Sequence, residues 1–330
     1  MIKKIVQICT RWLSYYLFLG IYSILSILRT QWARKFQATA IKLKLKYPNT
    51  LRIPTQCQWI TYRGLAFPAV PVSHPSNMLL MWGIHEPHNT KVLESVLQPG
   101  DFFLDVGAHI GYFSAIASRL VGPSGRVLAI EPLPFILAYL IDVILKNHLE
   151  NVTILSCALA DNHTLTSLSM PVGATSCTSL RDSLEKTVSV RKAPVLTARL
   201  DRIVPLEFWK KLKLVKIDVE GAEHLVLKGA TDLLQHWQPP YLICEVTDQW
   251  LKEMGSSAQE LITFLETFGY TPFRPGPEDR WHPWQPSFLP WQFDMLCVHS
   301  AALESSAQLG LCASVSKGSF AGLPQLSKGA

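Results

Sequence analysis

Residues 102–120 read FFLDVGAHIGYFSAIASRL, and this stretch decides the fold class. Its first part is an apolar run typical of a buried strand, and its last part has the periodicity of an amphipathic helix. Between them lie Gly107 and Gly111, with Asp105 before the turn and His109 within it. A strand, a glycine turn and a helix in this order predict a ligand-binding crevice at the carboxyl end of a parallel sheet.

The remaining strand-like runs extend this pattern. Helical periods separate most of them, which is typical of βαβ units and predicts an α/β fold: a mostly parallel sheet with helices on both faces. The runs are GRVLAIEP (125–132), NVTILSCAL (151–159), LKLVKIDVEG (212–221), YLICEV (241–246) and FDMLCVHS (293–300). Between residues 162 and 204 the alternation of polar and apolar residues instead predicts an inserted antiparallel hairpin or two.

Composition divides the chain into four segments. We predict a basic, apolar arm over residues 1–50, a proline-rich lead-in over 51–98, one large domain over 99–300 and a flexible tail over 301–330. The formal net charge is +6, yet residues 1–85 hold eleven Lys and Arg and no Asp or Glu, so the rest of the chain carries about −5. The seven cysteines are scattered and never spaced as CxxC, which argues against disulfides or a zinc site and favours a cytoplasmic setting.

The arm contains the longest apolar run of the chain, residues 12–28, with basic residues on both sides. Seventeen residues are near the lower limit for a spanning helix, and the bases favour a helix at the cytoplasmic face of an anionic membrane. Two alternatives stay open. A signal peptide is disfavoured because its small-residue site, at 38–40, lies beyond three charges, and the helix could instead pack on the globule.

Two nucleotide-type ligands compete for the glycine turn. A dinucleotide needs GxGxxG, in which the second glycine lets the backbone approach the pyrophosphate, but His109 occupies that position. S-adenosylmethionine has a cationic sulfur and no phosphate, so Asp105 suits its ammonium or sulfonium side. Glu131, at the end of the second strand, suits its ribose hydroxyls. The residues favour S-adenosylmethionine, while a tight turn with a helix-capping Glu131 is the purely structural alternative.

A second acidic signature, VKIDVEGAEHLVLKGA, occupies residues 215–230. It ends a buried strand with Asp218 and Glu220 and opens a helix that carries Glu223 and His224. Carboxylates gathered at one sheet edge oppose each other's ionisation, which tunes a general base towards neutral pH. The candidates for this base are Asp218, Glu220 and His224, in that order. The same carboxylates suit a divalent ion, and no metal ligand is assigned.

With these two signatures the chain resembles the FkbM family of S-adenosylmethionine-dependent methyltransferases. The resemblance covers roughly residues 84–298 and rests on FLDVGAHIGYFSAIA, VLAIEP, NVTILSCALAD, the LD at 200–201, VKIDVEGAEHLVLKGA and ICEV, in this order. It implies a Rossmann-like class I methyltransferase fold with a seven-stranded sheet. It also implies O-methylation of a hydroxyl on a sugar, a lipid-linked glycan or a natural product.

The resemblance further implies roles for the residues of the crevice. The methionine-side loop would be formed by Asp105, Gly107, Ala108, His109 and Gly111, the ribose would be bound by Glu131, and the adenine would be lined by Ala158. His109 departs from the Asn that the family usually carries, which puts one contact of the loop in question. The arm of residues 1–50 lies outside the family pattern.

Other readings of the sequence remain as alternatives. They are a dinucleotide-dependent oxidoreductase and a non-catalytic scaffold protein that binds S-adenosylmethionine. A nucleic-acid substrate is not expected, because the acidic body lacks a basic groove and the QPPY motif at 238–241 precedes a strand instead of following the KID strand. The aromatic segment WHPWQPSFLPWQF (281–293) is either a substrate lid or rigid packing over the sheet edge.

Deleting residues 1–46 should release the protein from membranes and leave cofactor binding unchanged, since the basic apolar run would be lost and the glycine turn kept. Membrane flotation of the full-length and truncated proteins, with calorimetric titration of S-adenosylhomocysteine, measures both effects. A truncated protein that still floats with membranes contradicts the prediction.

Overall fold

The structure is a computed structural model that describes residues 59–70, 73, 75–76, 78–79, 83–171, 178–181, 189–276, 280–285 and 291–311. The predicted arm of residues 1–50 lies outside the described residues, so the structure leaves that prediction untested. Among the described residues, no helix has both the length and the apolar character needed to cross a lipid bilayer. The chain divides into two compact units, residues 1–85 with 172–176 and residues 86–171 with 177–330.

In the first unit the described residues include a β-hairpin. Its strands, β1 (Trp59–Tyr62) and β2 (Leu65–Pro68), are antiparallel, with Trp59 opposite Pro68 and Tyr62 opposite Leu65. Arg63 and Gly64 make the turn, and both have positive φ angles, as expected of a two-residue hairpin connection.

The second unit is built on an eight-stranded sheet. Its order is β12-β11-β13-β10-β9-β3-β4-β5. The strands are β3 (Phe102–Val106), β4 (Arg126–Ile130), β5 (Val152–Leu155), β9 (Leu212–Ile217), β10 (Tyr241–Val246), β11 (Tyr270–Pro275), β12 (Trp281–Pro283) and β13 (Phe293–His299). The five strands from β5 to β10 are parallel neighbours, and β13 runs antiparallel between β10 and β11.

Helices cover both faces of this sheet, because successive strand residues point to opposite sides. In β4, Leu128 and Ile130 join the core cluster that contains the helices after β9 and β10, whereas Ala129 packs against Leu140 on the other face. The helices are α1 (Pro87–Val96), α2 (Tyr112–Val121), α3 (Pro134–Lys146), α4 (Leu200–Ile203), α5 (Leu206–Trp209), α6 (Glu223–Lys228), α7 (Asp248–Glu253), α8 (Ala258–Thr267) and α9 (Leu303–Gln308). The predicted mostly parallel sheet with helices on both faces is confirmed.

The predicted number of strands is wrong. The sheet has eight strands, not seven, because the short strand β12 adds an outer edge by pairing with β11 in antiparallel register. This strand lies inside the aromatic segment 281–293. Trp281 is 1% exposed and its backbone N–H donates to the carbonyl of Leu311, so this part of the segment is rigid packing rather than a lid.

The insertion between β5 and β9 forms a separate three-stranded sheet. Strands β7 (Leu165–Pro171) and β8 (Val190–Ala198) are an antiparallel pair, and the two-residue strand β6 (Ala158–Leu159) runs parallel to β8. Beyond β13 the ordered chain continues into α9, where the buried Ser306 hydroxyl lies 3.1 Å from the Tyr241 hydroxyl. Helix α9 therefore lies inside the segment predicted to be a flexible tail, and the structure describes that segment as far as Leu311.

Gly107 joins the ends of the two central strands. Its φ is +83°, and a Cβ atom at this position would lie 1.9 Å from the carbonyl oxygen of Asp218, just after β9. The Asp218 N–H in turn donates to the carbonyl of Val106 at 3.0 Å. A glycine is therefore required by the approach of one protein segment to another, whatever ligand is bound.

Gly107→Ala should destabilise the protein much more than Gly255→Ala. Gly255 also has a positive φ, +78°, but nothing lies within 4 Å of its Cβ position, so its substitution carries the backbone strain alone, about 1–2 kcal/mol. The clash at Gly107 should add about 2 kcal/mol or more. Urea unfolding of the two variants gives the comparison, and equal losses of stability would contradict it.

Candidate active site

The turn after β3 satisfies its own backbone. The N–H groups of Gly107 and Ala108 both donate to the carbonyl of Ile130 at 3.0 Å, and the Gly111 N–H donates to the carbonyl of Ala108 at 2.8 Å. The His109 N–H donates to the carboxylate of Glu131 at 3.0 Å. A phosphate cradle needs free N–H groups pointing at the ligand, and these four are already used. The turn is thus poorly suited to a pyrophosphate.

Glu131 connects the glycine turn to the end of β4. One carboxylate oxygen accepts from the His109 N–H, and the other accepts from the Leu133 N–H at 2.9 Å. Burial raises the pKa of Glu131 to about 7, against the lowering effect of these two hydrogen bonds. Each carboxylate oxygen keeps a second lone pair, which leaves capacity for hydroxyl donors from a ligand.

Asp105 lies deeper than its predicted role requires. It is 1% exposed, and its carboxylate accepts a hydrogen bond of 2.5 Å from the Ser114 hydroxyl on α2. Burial raises its pKa to about 6, opposed mainly by the positive charge of Lys216. The cation that the structure places near Asp105 is therefore a side chain of the protein itself.

Lys216 is a buried cation among carboxylates at this edge. Its side chain is 4% exposed, and its ammonium lies 2.7 Å from Asp218, 3.7 Å from Glu86 and 4.7 Å from the ring centroid of Phe113. Burial lowers its pKa, but the carboxylates of Asp218, Glu86 and Asp105 outweigh this effect and raise it well above its usual range. Lys216 is therefore charged at neutral pH.

Three carboxylates meet where β9 and β10 end. One oxygen each from Asp218, Glu220 and Glu245 lie within 4.8 Å of one another, close enough to share a metal ion or protons. Burial, followed by the charge of Asp218, raises the pKa of Glu220 and of Glu245 well above the usual range. Asp294 faces Glu245 across the β10–β13 pair, and burial raises its pKa to about 7.

Glu223 and His224, on the first turn of α6, contact different parts of the protein. Glu223 points back to its own loop, where one oxygen accepts from the N–H groups of Val219 at 3.2 Å and Gly221 at 3.0 Å. His224 instead contacts the Ser256 hydroxyl through Nδ1 and packs against the ring of Phe264. Burial lowers the pKa of His224 to about 4. The structure does not bring His224 to the carboxylates, which corrects its place among the candidate bases.

The other predicted cofactor residues lie around the turn. His109 has a positive φ of 50°, and Ala108 is 6% exposed. At Gly111 a Cβ atom would lie 2.4 Å from Leu140 of α3, so this glycine permits helix packing. Ala158 is 7% exposed and belongs to an apolar cluster with Leu133. Both residues follow Glu131 in the sequence, whereas the residues of the glycine turn precede it.

Sequence reasoning missed three charged residues of this edge. Lys216 could have been found, because it is one of two charges, with Lys213, inside the mainly apolar strand run LKLVKI. Glu86, which precedes α1, and Arg181, from the insertion, carry no such signal. Both reach the edge only through tertiary packing, where Glu86 lies beside Lys216 and Arg181 binds the carbonyl of Glu220 at 3.1 Å.

The sheet order and the acidic strand ends define the class of protein: a Rossmann-like fold of the class I methyltransferase type. The family model described as "Methyltransferase FkbM domain" matches residues 105–272, about half of the chain. The chain therefore belongs to the FkbM methyltransferase family. S-adenosylmethionine is the cofactor of the matched domain.

Individual relatives match over shorter lengths. A protein-L-isoaspartate O-methyltransferase from Aeropyrum pernix is 35% identical over 98 residues, which are 28% of this chain and 34% of that protein. Methyltransferase sdnD from Sordaria araneosa is 29% identical over 169 residues, which are 43% of this chain and 64% of that protein. The chain thus spans between a third and two thirds of these two curated relatives.

Solved structures give a weak likeness. Methyltransferase FkbM from Methylobacillus flagellatus has a TM-score of 0.40 and 16% identity, over 66% of this chain and 52% of that one. TYW2 from M. jannaschii, in complex with AdoMet, has a TM-score of 0.39 and 14% identity, over 75% of this chain and 86% of that one.

Glu131→Gln should reduce the pH dependence of stability of the protein without ligand. The folded-state pKa of about 7 exceeds the ordinary 4.5, so Glu131 stabilises the fold at acid pH, and this contribution is lost as the pH rises through 7. A tenfold change in proton affinity corresponds to about 1.4 kcal/mol, so the wild type should lose on the order of 3 kcal/mol more than the variant between about pH 5 and pH 8.

Urea unfolding of both proteins across this pH range measures the difference. Glu150→Gln, a change at an exposed carboxylate, is the matched control and should leave the slope as in the wild type. Parallel stability curves for the wild type and Glu131→Gln would show that Glu131 does not titrate differently on folding.

Proposed function

We propose that this protein transfers the methyl group of S-adenosylmethionine to a hydroxyl oxygen of a sugar, a glycolipid or a natural product. The observation that carries this proposal is the group of Asp218, Glu220 and Glu245 at the ends of β9 and β10, because a hydroxyl must lose a proton as the O–CH₃ bond forms. The name of the A. pernix relative, an O-methyltransferase, supports oxygen as the acceptor atom.

The residues around the glycine turn would hold the cofactor. Asp105, on β3 directly before the turn, would contribute negative charge near the methionine part of the cofactor. Gly107, Ala108, His109 and Gly111 would form the loop itself. Glu131 is the residue for the ribose, since its oxygens have lone pairs left, and Ala158 is the small residue for the adenine. When bound, S-adenosylmethionine supplies an electrophilic methyl group on a sulfonium.

Asp218 is the preferred base for the hydroxyl proton. Its carboxylate lies 2.7 Å from the ammonium of Lys216, and its side chain is 23% exposed, so it is paired with a cation and accessible to an acceptor. Burial raises the pKa of Glu220 and of Glu245 well above the usual range, which makes these two residues less suited than Asp218 to start as the base. In the transfer the acceptor O–H bond would break with its proton going to Asp218, and the oxygen would form the new bond to the methyl carbon. The methyl–sulfur bond would break at the same time, leaving its electron pair on the neutral sulfur of S-adenosylhomocysteine.

The two rival functions differ from this one in what they bind and turn over. A dinucleotide-dependent oxidoreductase is disfavoured by the turn, whose N–H groups are used internally. A scaffold protein would bind S-adenosylhomocysteine and transfer nothing. Incubation with tritiated S-adenosylmethionine and fractionated lipids, glycans and small metabolites, from cells with and without the gene, separates methyl transfer, which labels a fraction, from the two rivals, which label none. Calorimetric titration with a nicotinamide dinucleotide and with S-adenosylhomocysteine then separates the two rivals.

Asp218→Asn should remove most of the methyl transfer, at least about a hundredfold in kcat, and spare the affinity for S-adenosylhomocysteine, because the amide accepts no proton. Asp142→Asn, at an exposed site on α3, is the matched control and should behave as the wild type. Single-turnover rates and calorimetry measure the two quantities. Near-normal turnover in Asp218→Asn would remove Asp218 from the role of base.

A further inference from the structure

Arg181 has a buried hydrogen-bonding group that the protein does not use. Its side chain is 3% exposed, and its Nε–H donates to the Ser179 hydroxyl and to the Glu220 carbonyl, each at 3.1 Å. Nη1 donates to Glu253 at 3.0 Å. Nη2 is also buried, and among the residues that the structure describes it has no hydrogen-bond partner.

An unpaired guanidinium nitrogen is costly when it is buried, so a partner is expected. The guanidinium has only N–H donors, and the partner must therefore offer an acceptor, in practice an oxygen atom. The position of Arg181 indicates which molecule brings it. Its Nε lies 3.1 Å from the backbone of Glu220, whose carboxyl belongs to the group with Asp218 and Glu245.

Trp250 and Trp291 form an aromatic pair near Arg181. The guanidinium stacks on Trp250, with 4.2 Å from Cζ to the ring centroid. Trp250 packs on the loop after β9, since a Cβ atom added at Gly221 would lie 2.9 Å from the Cβ of Trp250. Trp291 meets Trp250 edge-on, with ring centroids 5.9 Å apart, and is 63% exposed. The exposed indole of Trp291 thus packs on Trp250, which in turn stacks on the buried guanidinium of Arg181.

The charge of this region disfavours an anionic ligand. Arg181 is already paired with Glu253, and Lys216 is paired with Asp218 and Glu86. An incoming carboxylate or phosphate would bring further negative charge to the acidic group of Glu220, Glu245 and Asp294. Among the described residues near this group, no cation is left free to pair with it. A neutral ligand with an apolar ring face and several hydroxyls fits better, because it can stack on an indole, accept from a guanidinium and donate to a carboxylate.

We propose that Arg181, Trp250 and Trp291 form the acceptor-recognition site and that the acceptor is a neutral sugar, free or as the outer residue of a glycoconjugate. The inference rests on the proposed function and narrows it. Trp291 stacks on the face of the sugar ring, Nη2 of Arg181 donates to a ring or hydroxyl oxygen, and the hydroxyl to be methylated points to the carboxylates. Arg181 is thus a specificity residue, while Asp218 takes the proton.

The probes are methyl glycosides of neutral hexoses and 6-deoxyhexoses, the matching methyl glycosides of uronic acids, and octanol as a hydroxyl without a sugar. Transfer from tritiated S-adenosylmethionine is measured for each with the full-length protein. Neutral glycosides should be methylated, with kcat/KM at least about tenfold above the uronides and above octanol.

Two variants test the residues on the best neutral glycoside. Arg181→Lys keeps the charge and loses the planar fork, and Trp291→Ala removes the exposed ring. Each should raise the glycoside KM about tenfold or more and leave the affinity for S-adenosylhomocysteine unchanged. Arg191→Lys, at an exposed arginine on β8 of the same insertion, is the control and should have the wild-type KM. Because Arg181 is buried, thermal melting is used to verify that the Arg181→Lys protein is folded. Trp291 is exposed, so Trp291→Ala tests the same site with little risk to folding.

The outcomes separate the inference from the function on which it rests. Label in a lipid or metabolite fraction, together with no transfer to any neutral glycoside, overturns the sugar assignment and leaves methyl transfer standing. A wild-type KM in both Arg181→Lys and Trp291→Ala overturns the recognition site. No label in any fraction or probe, despite intact cofactor binding, overturns both.

Discussion

The buried ammonium of Lys216 is the interaction on which the electrostatics of the site depends. It lies on β9, 2.7 Å from Asp218 and 3.7 Å from Glu86, so it joins the central strand to the start of α1. A buried charge is tolerated only when its partners are present, and loss of one partner leaves the others uncompensated. Because Asp105 also raises the pKa of Lys216, the ends of β3 and β9 share this cation. Several carboxylates can therefore gather here because they share one buried positive charge.

The glycine turn and the carboxylates contribute different things to ligand choice. The turn is explained by packing: Gly107 admits the Asp218 carbonyl, Gly111 admits Leu140, and the N–H groups bond within the protein. Such a turn excludes a phosphate cradle but selects no particular ligand by itself. Selection must then come from side chains that keep unused hydrogen-bonding capacity. Glu131 does so at the end of β4, and Arg181 does so beside Glu220.

The sequence predicts those features that depend on local pattern. Buried parallel strands are apolar over most of their length, so β3, β4, β9 and β10 could be recognised, and their carboxyl ends place Asp105, Glu131 and Asp218 along one edge. Other features depend on contacts that no local pattern records. The three-residue strand β12 exists only through pairing with β11, His224 turns towards Ser256 because of how α6 packs on α8, and Arg181 is carried to Glu220 by an insertion.

The three carboxylates at the ends of β9 and β10 differ in their surroundings, and this difference bears on the proposed methyl transfer to a hydroxyl. Burial raises the pKa of Glu220 and of Glu245 well above the usual range, which disfavours their charged forms, whereas Asp218 lies 2.7 Å from the ammonium of Lys216. One anion at the reacting centre is the amount that a cationic donor and a neutral acceptor require. In the proposed reaction, uptake of the acceptor proton by Asp218 would remove that anion when the positive charge of the donor is lost. A fully ionised group would leave several uncompensated charges in the product state, and a fully protonated group would provide no base.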